Sequence, residues 1–163
     1  MQITELEARV KEALARGQTL EVLGSGSKRD IGKPVTASAS LRLQVASGIE
    51  AYEPEELVLT ALAGTKRDEA EAALAEARQM FAFEPPDLSQ LLGSPTSGTL
   101  GGMAASNLSG PRRVKAGAAR DHLLGFTGVS GRGEIFKAGG RVVKNVTGYD
   151  LPKLMAGSWA RLP

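Results

Sequence analysis

The chain has 163 residues, 42% of them hydrophobic and 23% charged, which is ordinary for one globular domain with its own core. It has no cysteine, which excludes disulfides, thiolate catalysis and iron–sulfur ligation within this chain. Aromatic residues make up only 4%, and the net charge of +2 comes from scattered basic residues, so we expect no nucleic-acid partner. The apolar runs are too short to cross a bilayer, and glutamates interrupt those of residues 1–16. We therefore expect a cytoplasmic protein with no transmembrane segment and no signal peptide.

Hydrophobic periodicity and turn residues predict an α+β fold in a single domain, residues 1–163. In chain order, the predicted elements are a helix over 3–16, a strand over 20–23, short strands and turns over 34–49, a strand over 57–62, a helix over about 66–79 capped by Thr65, an irregular segment at 84–87, a short helix beside Gly101, a strand over 123–129, a turn at 130–133, a returning strand over 134–137 and a short helix over 150–156 capped by Asp150. Hairpin-type connections outnumber regular βαβ units, so a doubly wound sheet is not expected.

The first candidate site is the segment Gly24-Ser25-Gly26-Ser27-Lys28-Arg29, which directly follows a predicted strand. Its glycines allow a tight turn and let an anion approach backbone N–H groups, while two hydroxyls and two cations add donors. A pyrophosphate suits such a loop, and the plainer alternative is a strand-end turn with exposed polar residues. Two familiar nucleotide motifs are absent. A Rossmann fingerprint needs a glycine where Arg29 stands, and a Walker loop needs four residues rather than five between Gly26 and Gly32-Lys33.

Two further segments are candidate sites. In 98–110, the residues Thr99, Gly101 and Gly102 expose backbone beside the short helix, so a large flat ligand can approach the main chain; a tightly packed turn is the alternative. The segment 144–151 has the composition of a turn entering a helix, and its residues alone indicate only a capped helix.

The sequence contains no evident catalytic or metal-binding constellation. His122 is the only histidine and has no cysteine partner, so we expect it to be structural or exposed. The basic residues of 112–120 are expected to form a solvated loop.

Taken together and in this order, the three segments resemble the vanillyl-alcohol-oxidase, or PCMH-type, flavoprotein superfamily over roughly residues 1–158. The first resembles its pyrophosphate loop, the second its flavin-binding stretch, and the third the segment that returns to the flavin. Within that superfamily the chain is most similar to the E subunits of bacterial glycolate oxidases. The residues that carry this likeness are 63–65 (AGT), 84–86 (EPP), 101–103 (GGM), 108–113 (LSGPRR), 120–121 (RD), 143–151 (VKNVTGYDL) and 154–158 (LMAGS).

The resemblance implies a two-lobed PCMH-type α+β domain with FAD between the lobes. It implies pyrophosphate contacts from Gly24, Ser25, Gly26, Ser27 and Lys28, flavin contacts from Thr99, Gly101, Gly102 and Asn107, and closure around the flavin by Gly148, Tyr149 and Asp150. Some relatives attach FAD through a histidine in the first loop. Here Ser25 and Ser27 stand in that loop, so non-covalent FAD is expected.

The resemblance also implies oxidation of a 2-hydroxy acid, glycolate to glyoxylate, in a complex with a D-type flavin subunit and an iron–sulfur subunit, through which the chain could associate with a membrane. Family members continue past residue 159 with a glycine, an apolar strand and a cap domain, whereas this chain reads Ala160–Pro163. We therefore expect a flavin domain that is incomplete at its C-terminal end, lacks the cap, and leaves a sheet edge open to self-association. The alternative function is a non-catalytic binding or assembly module with a flavin fold.

Overall fold

The computed structural model describes residues 2–140 and 148–161, and within them helices alternate with short paired strands. The elements are α1 (Ile3–Ala15), β1 (Leu20–Leu23), β2 (Ala39–Arg42), β3 (Ile49–Glu53), β4 (Val58–Ala61), α2 (Arg67–Glu76), α3 (Ser89–Leu92), α4 (Leu100–Ser106), α5 (Arg113–Ala116), α6 (Ala119–His122), β5 (Gly125–Val129), β6 (Ile135–Gly139) and α7 (Leu151–Met155). Short 3-10 turns at Leu43–Val45 and Pro54–Glu56 follow β2 and β3.

The strands of the described residues form three pairs. β1 and β2 run parallel, with Leu20 opposite Ala39 and Leu23 opposite Arg42. β3 and β4 are antiparallel, and so are β5 and β6, which meet through the turn at 130–133. The prediction of a mixed fold in which hairpins dominate is therefore confirmed.

Helices pack on the β5–β6 pair and on one another. α1 packs against β5 and β6, α7 packs against β6 and α6, and α4 contacts both α2 and α6. Small side chains permit these approaches, since Ala13 of α1, Ala70 of α2, Ala119 of α6 and Ala138 of β6 are all buried.

The predicted cap of α2 is wrong. The helix begins at Arg67, and its N-cap residue is Lys66, whose side chain makes no capping hydrogen bond. Thr65 is fully buried, and its hydroxyl both accepts from the Gly48 N–H at 2.9 Å and donates to the Gly48 carbonyl at 3.0 Å. The Thr65 hydroxyl therefore bonds to Gly48, which is distant in sequence, and does not cap α2.

The basic stretch at 112–120 also differs from expectation. It forms the short helices α5 and the start of α6 rather than a loop, and most of its side chains are exposed as expected. A hydrogen bond stabilises the start of α6. The Ala118 backbone N–H donates to the Asp121 carboxylate at 2.9 Å and so closes the first turn.

At the other end of the described chain, α7 begins where it was predicted. The Asp150 carboxylate accepts from the Lys153 N–H at 3.3 Å, which confirms Asp150 as the cap. Residues 144–147 of the third predicted segment lie outside the described residues. Among the helices of the described residues, none combines the length and the apolarity that a membrane crossing requires.

Candidate functional site

The carboxyl ends of the parallel strands β1 and β2 place two segments side by side. β1 leads into the loop 24–28, hereafter the first loop, and β2 leads into the turn Leu43–Val45. The first loop folds into a turn in which the Arg29 N–H donates to the Gly26 carbonyl at 3.0 Å, with Gly26 at φ +75°. Glycine adopts that φ without strain.

The first loop contacts the start of α4 directly. A Cβ added to Gly24 would lie 2.3 Å from the Thr99 hydroxyl oxygen, so only glycine fits at this crossing. Gly98, which precedes Thr99, also lies close to the first loop. A Cβ added to it would lie 3.0 Å from the Ser27 hydroxyl oxygen and 3.2 Å from the Lys28 ammonium nitrogen. The structure thus brings the first two predicted segments together, although they are far apart in sequence.

Backbone hydrogen bonds hold α4 in this position. Thr99 is buried, is the N-cap of α4, and accepts from the Gly102 N–H at 3.2 Å. The Leu100 N–H donates to the Thr65 carbonyl at 2.9 Å, and the Gly101 N–H donates to the Ala63 carbonyl at 2.8 Å. The segment 63–65 therefore lies directly beneath α4 and fixes its first turn.

A polar cleft of about 300 Å³ opens between these segments. Its lining comes from the first loop, the end of β2, the segment after β4 and the start of α4: Ser25, Gln44, Ser47, Gly64, Lys66, Thr96 and Thr99. The volume lies at the lower end of the range for ligand pockets, about 300–1,000 Å³.

The Ser25 side chain lines the cleft, and its hydroxyl has no partner among the described residues. The Ser25 Oγ is buried and has no hydrogen-bond partner in the described chain. A buried polar atom without a partner costs about 1–3 kcal/mol, so a ligand atom that pairs with it recovers that energy. A phosphate oxygen is a suitable acceptor for this O–H, and the cleft walls that glycine leaves open admit a group of that size.

Lys28 of the first loop and the nearby Arg67 are two cations of this region. Lys28 is half-buried, and this burial lowers the pKa of its ammonium below the ordinary range; Arg67 nearby lowers it further, while Asp87 partly offsets both effects. The Arg67 Nε donates to the Glu71 carboxylate at 2.8 Å. The Arg67 Nη1 is buried and has no hydrogen-bond partner in the described chain.

The far end of the first loop is fixed by an ion pair. The Arg29 guanidinium donates two hydrogen bonds to the Glu21 carboxylate, at 2.8 and 3.0 Å. Glu21 is a buried residue of β1, so this bidentate contact ties the end of the loop back to the strand that precedes it.

The remaining predicted residues lie farther along α4 and around α7. Asn107 ends α4 with φ +51°, and its Oδ1 accepts from the Arg120 N–H at 2.9 Å. Tyr149 is 91% exposed, and the Asp150 carboxylate pairs with Lys153 at 3.2 Å. Among the described residues, no hydrogen bond or ion pair links Gly148–Asp150 to the first loop.

His122 lies outside this cleft. Its ring packs on Phe83 with 5.3 Å between centroids, and its Nε2 lies 2.9 Å from the Ala116 carbonyl oxygen. In the part of the chain that the structure describes, no cluster of three or more histidine or acidic side chains could hold a metal ion.

Sequence reasoning missed Arg67 as a neighbour of the first loop. The available signal was the pair Lys66-Arg67 at the start of a helix, where the helix dipole favours carboxylates rather than cations. Asp68 and Glu69 follow this pair, and carboxylates in the first turn are what a helix N-terminus usually prefers. The two cations before them therefore attracted no attention.

Comparisons with known proteins show the family to which the chain belongs. A family model described as an FAD binding domain matches residues 2–139, and the chain belongs to this family. This membership confirms the prediction of FAD as the cofactor.

Individual relatives place the chain more closely. It is 42% identical to glycolate oxidase subunit GlcE of Escherichia coli (strain K12) over 153 residues, which cover 94% of this chain and 42% of that protein. It is 41% identical to glycolate oxidase subunit GlcD of Bacillus subtilis (strain 168) over 76 residues, which cover 47% of this chain and 15% of that protein. The chain thus spans less than half of the length of either relative.

The fold is shared with a solved structure. An alkyldihydroxyacetonephosphate synthase superposes with a TM-score of 0.72 at 22% identity, covering 95% of this chain and 27% of that one. At this identity the likeness concerns the fold alone, and together with the match to the FAD binding domain it confirms the predicted PCMH-type α+β architecture.

Proposed function

We propose that this chain is the FAD-binding part of a flavin-linked 2-hydroxy-acid oxidoreductase that converts glycolate to glyoxylate. The observation that carries the proposal is the contact of the first loop with the start of α4, where Gly24 meets Thr99 beside the unpaired Ser25 hydroxyl. The 42% identity to GlcE supports glycolate as the substrate of the assembled enzyme.

The position of the first loop beside α4 supports the following proposed roles. The first loop (Gly24, Ser25, Gly26, Ser27, Lys28) holds the pyrophosphate through its N–H groups, two hydroxyls and one ammonium. Thr99, Gly101 and Gly102 line the flavin, and they are rigid because α4 is hydrogen-bonded to 63–65. Asn107 is proposed to donate to the flavin through its amide NH2, because its Oδ1 already accepts from the Arg120 N–H. Contacts from Gly148, Tyr149 and Asp150 stay a prediction.

Bound FAD supplies the acceptor for the two electrons of the alcohol. The chain contributes binding and orientation, and it closes the cleft to water on the side of α4. The first loop carries serines and no histidine, and the chain has no cysteine, so the proposed attachment is non-covalent.

The first experiment is a titration of the purified chain with FAD, followed by flavin fluorescence and absorbance. We expect quenching and a perturbed flavin spectrum at micromolar FAD, with the flavin released intact when the protein is denatured by acid. Riboflavin, which lacks the pyrophosphate, should bind more weakly because the first loop then has no anion to hold. Absence of binding by the folded chain would remove the proposal. Flavin that stays attached after acid treatment would contradict non-covalent attachment.

A second proposed property is association with other chains. GlcE and GlcD are both named as subunits of glycolate oxidase, which supports a D-type flavin subunit as a partner; an iron–sulfur subunit and self-association are proposed alongside it. Exposed apolar side chains in the described part of the chain, which include Leu57, Leu91 and Val114, support such contacts.

Co-expression measures this association. We expect a tagged chain to retain a D-type flavin subunit through size-exclusion chromatography and to show glycolate turnover with an artificial acceptor only in that complex. A chain that binds FAD, elutes as a monomer at high concentration and retains no D-type subunit would contradict the association while leaving FAD binding intact. A complex without turnover would favour the role of an assembly module.

A further inference from the structure

The start of α2 carries charges that a helix normally disfavours there. Lys66 is the N-cap and Arg67 the first helical residue, so two cations lie at the positive end of the helix dipole. The Asp68 carboxylate at this end accepts a hydrogen bond from the Ser97 hydroxyl. Two cations at a helix N-terminus are unfavourable by themselves, which suggests that they serve a ligand.

Arg67 has donors that the protein leaves unused. Its side chain is 14% exposed, and its Nε is paired with Glu71 at 2.8 Å. The Nη1 is buried without a hydrogen-bond partner in the described chain. A charged donor in this condition carries a larger desolvation cost than a neutral one, so an acceptor brought by a ligand would stabilise it strongly.

Gly98 lies between the start of α2 and the first loop. The backbone N–H of Arg67 donates to the Gly98 carbonyl at 3.1 Å, and the Ser27 hydroxyl and the Lys28 ammonium lie near the Gly98 Cα. Among the described residues, Lys28 forms no ion pair within 4.0 Å, and the field of Asp87 reaches it only from farther away. Arg67 is close enough for its charge to lower the pKa of Lys28, so an anion beside both groups is attracted by each of them.

We propose that Arg67 is a second phosphate-binding cation of this site, acting together with Lys28 on one pyrophosphate. The inference rests on the proposed FAD function and adds to it a residue outside the three motif segments. A pyrophosphate diester carries two negative charges, which match the two cations, and its oxygens can accept from the unpaired Arg67 Nη1 and from the Ser25 hydroxyl at once. The planar guanidinium also fixes orientation, because its donors have a rigid geometry.

The test compares the Arg67→Gln variant with the unsubstituted parent chain. FAD, inorganic pyrophosphate and riboflavin are the separate probes in calorimetric titrations. We expect Arg67→Gln to weaken the binding of FAD and of pyrophosphate by about tenfold to a hundredfold, as for the loss of a charge-assisted hydrogen bond. Riboflavin binding should stay unchanged, since riboflavin has no phosphate. Arg132→Gln is the matched control: it removes one positive charge from an exposed turn and should change none of the three affinities.

A second variant guards against misfolding. Arg67→Lys keeps the charge and the alkyl stem but loses the guanidinium fork, so it should fold and weaken FAD binding several-fold. Thermal melting of each variant without ligand verifies the fold.

The outcomes separate this inference from the proposed function. If FAD and pyrophosphate bind equally well to the parent chain and to both Arg67 variants, Arg67 is no phosphate ligand, and FAD binding still stands. If pyrophosphate binds in an Arg67-dependent way but FAD does not bind, the anion subsite stands and the flavin function falls. If neither probe binds the folded parent chain, both are overturned.

Discussion

A chain with Gly24→Ala is expected to bind FAD about tenfold to a hundredfold more weakly than the parent. The added Cβ would lie 2.3 Å from the Thr99 hydroxyl oxygen and 3.3 Å from the Thr99 Cβ and Cγ2, so the first loop must move away from α4. Overpacking of this kind costs about 1–3 kcal/mol, which corresponds to the stated change in affinity if the bound state needs the closed contact. Fluorescence titration with FAD measures it.

Two further variants make the Gly24 result specific. Gly140→Ala is the control, because a Cβ on Gly140 meets nothing within 4 Å, and it should leave FAD affinity unchanged. Thr99→Ala removes the hydroxyl that the new Cβ would meet, so the losses of Gly24→Ala and Thr99→Ala should combine to less than their sum. Fully additive losses would show that the two residues act independently and would contradict the contact.

The second large effect is on stability, at Gly64. A Cβ there would lie 1.9 Å from the Leu43 carbonyl oxygen and 2.5 Å from that of Ala46, and both obstacles are backbone atoms that cannot rotate away. The Gly64 N–H also donates to the Ala46 carbonyl at 2.8 Å, so moving the chain breaks this bond. We expect Gly64→Ala to lower the free energy of unfolding by about 3 kcal/mol or more, out of a total of about 5–15 kcal/mol.

Thermal melting followed by circular dichroism checks this expectation. For a domain of this size, the loss corresponds to a drop in Tm of roughly 6–12 °C. Gly140→Ala again serves as the comparison, since it adds the same methyl group in open space. A Gly64→Ala chain that melts with the parent would show that the turn after β2 does not press against the segment 63–65.

The sequence was most informative where structure depends on local pattern. The helix α1, the strand β1 and the hairpin β5–β6 agree with predictions from periodicity and from turn residues, because their apolar spacing and Gly-containing turn determine them locally. The same holds for Asp150, whose capping bond spans only three residues.

Predictions from sequence were wrong or missing where a side chain's contact is made with a residue far away in the chain. Thr65 was assigned to a helix cap, but Gly48, which is 17 residues away in sequence, takes its hydroxyl. The three candidate segments could be identified one by one, whereas no local pattern indicates that Gly24 touches Thr99. Arg67 was missed for the same reason, since its significance comes from its proximity to Lys28 and not from its neighbours in sequence.

The ion pair between Glu21 and Arg29 has a consequence for the thermodynamics of ligand capture. The two residues flank the first loop, and the buried Glu21 carboxylate holds Arg29 in place without a ligand. The conformational entropy of ordering that loop is therefore lost when the protein folds and not when the ligand binds. More of the contact energy between loop and phosphate is then available as affinity, which is the advantage of a preorganised site.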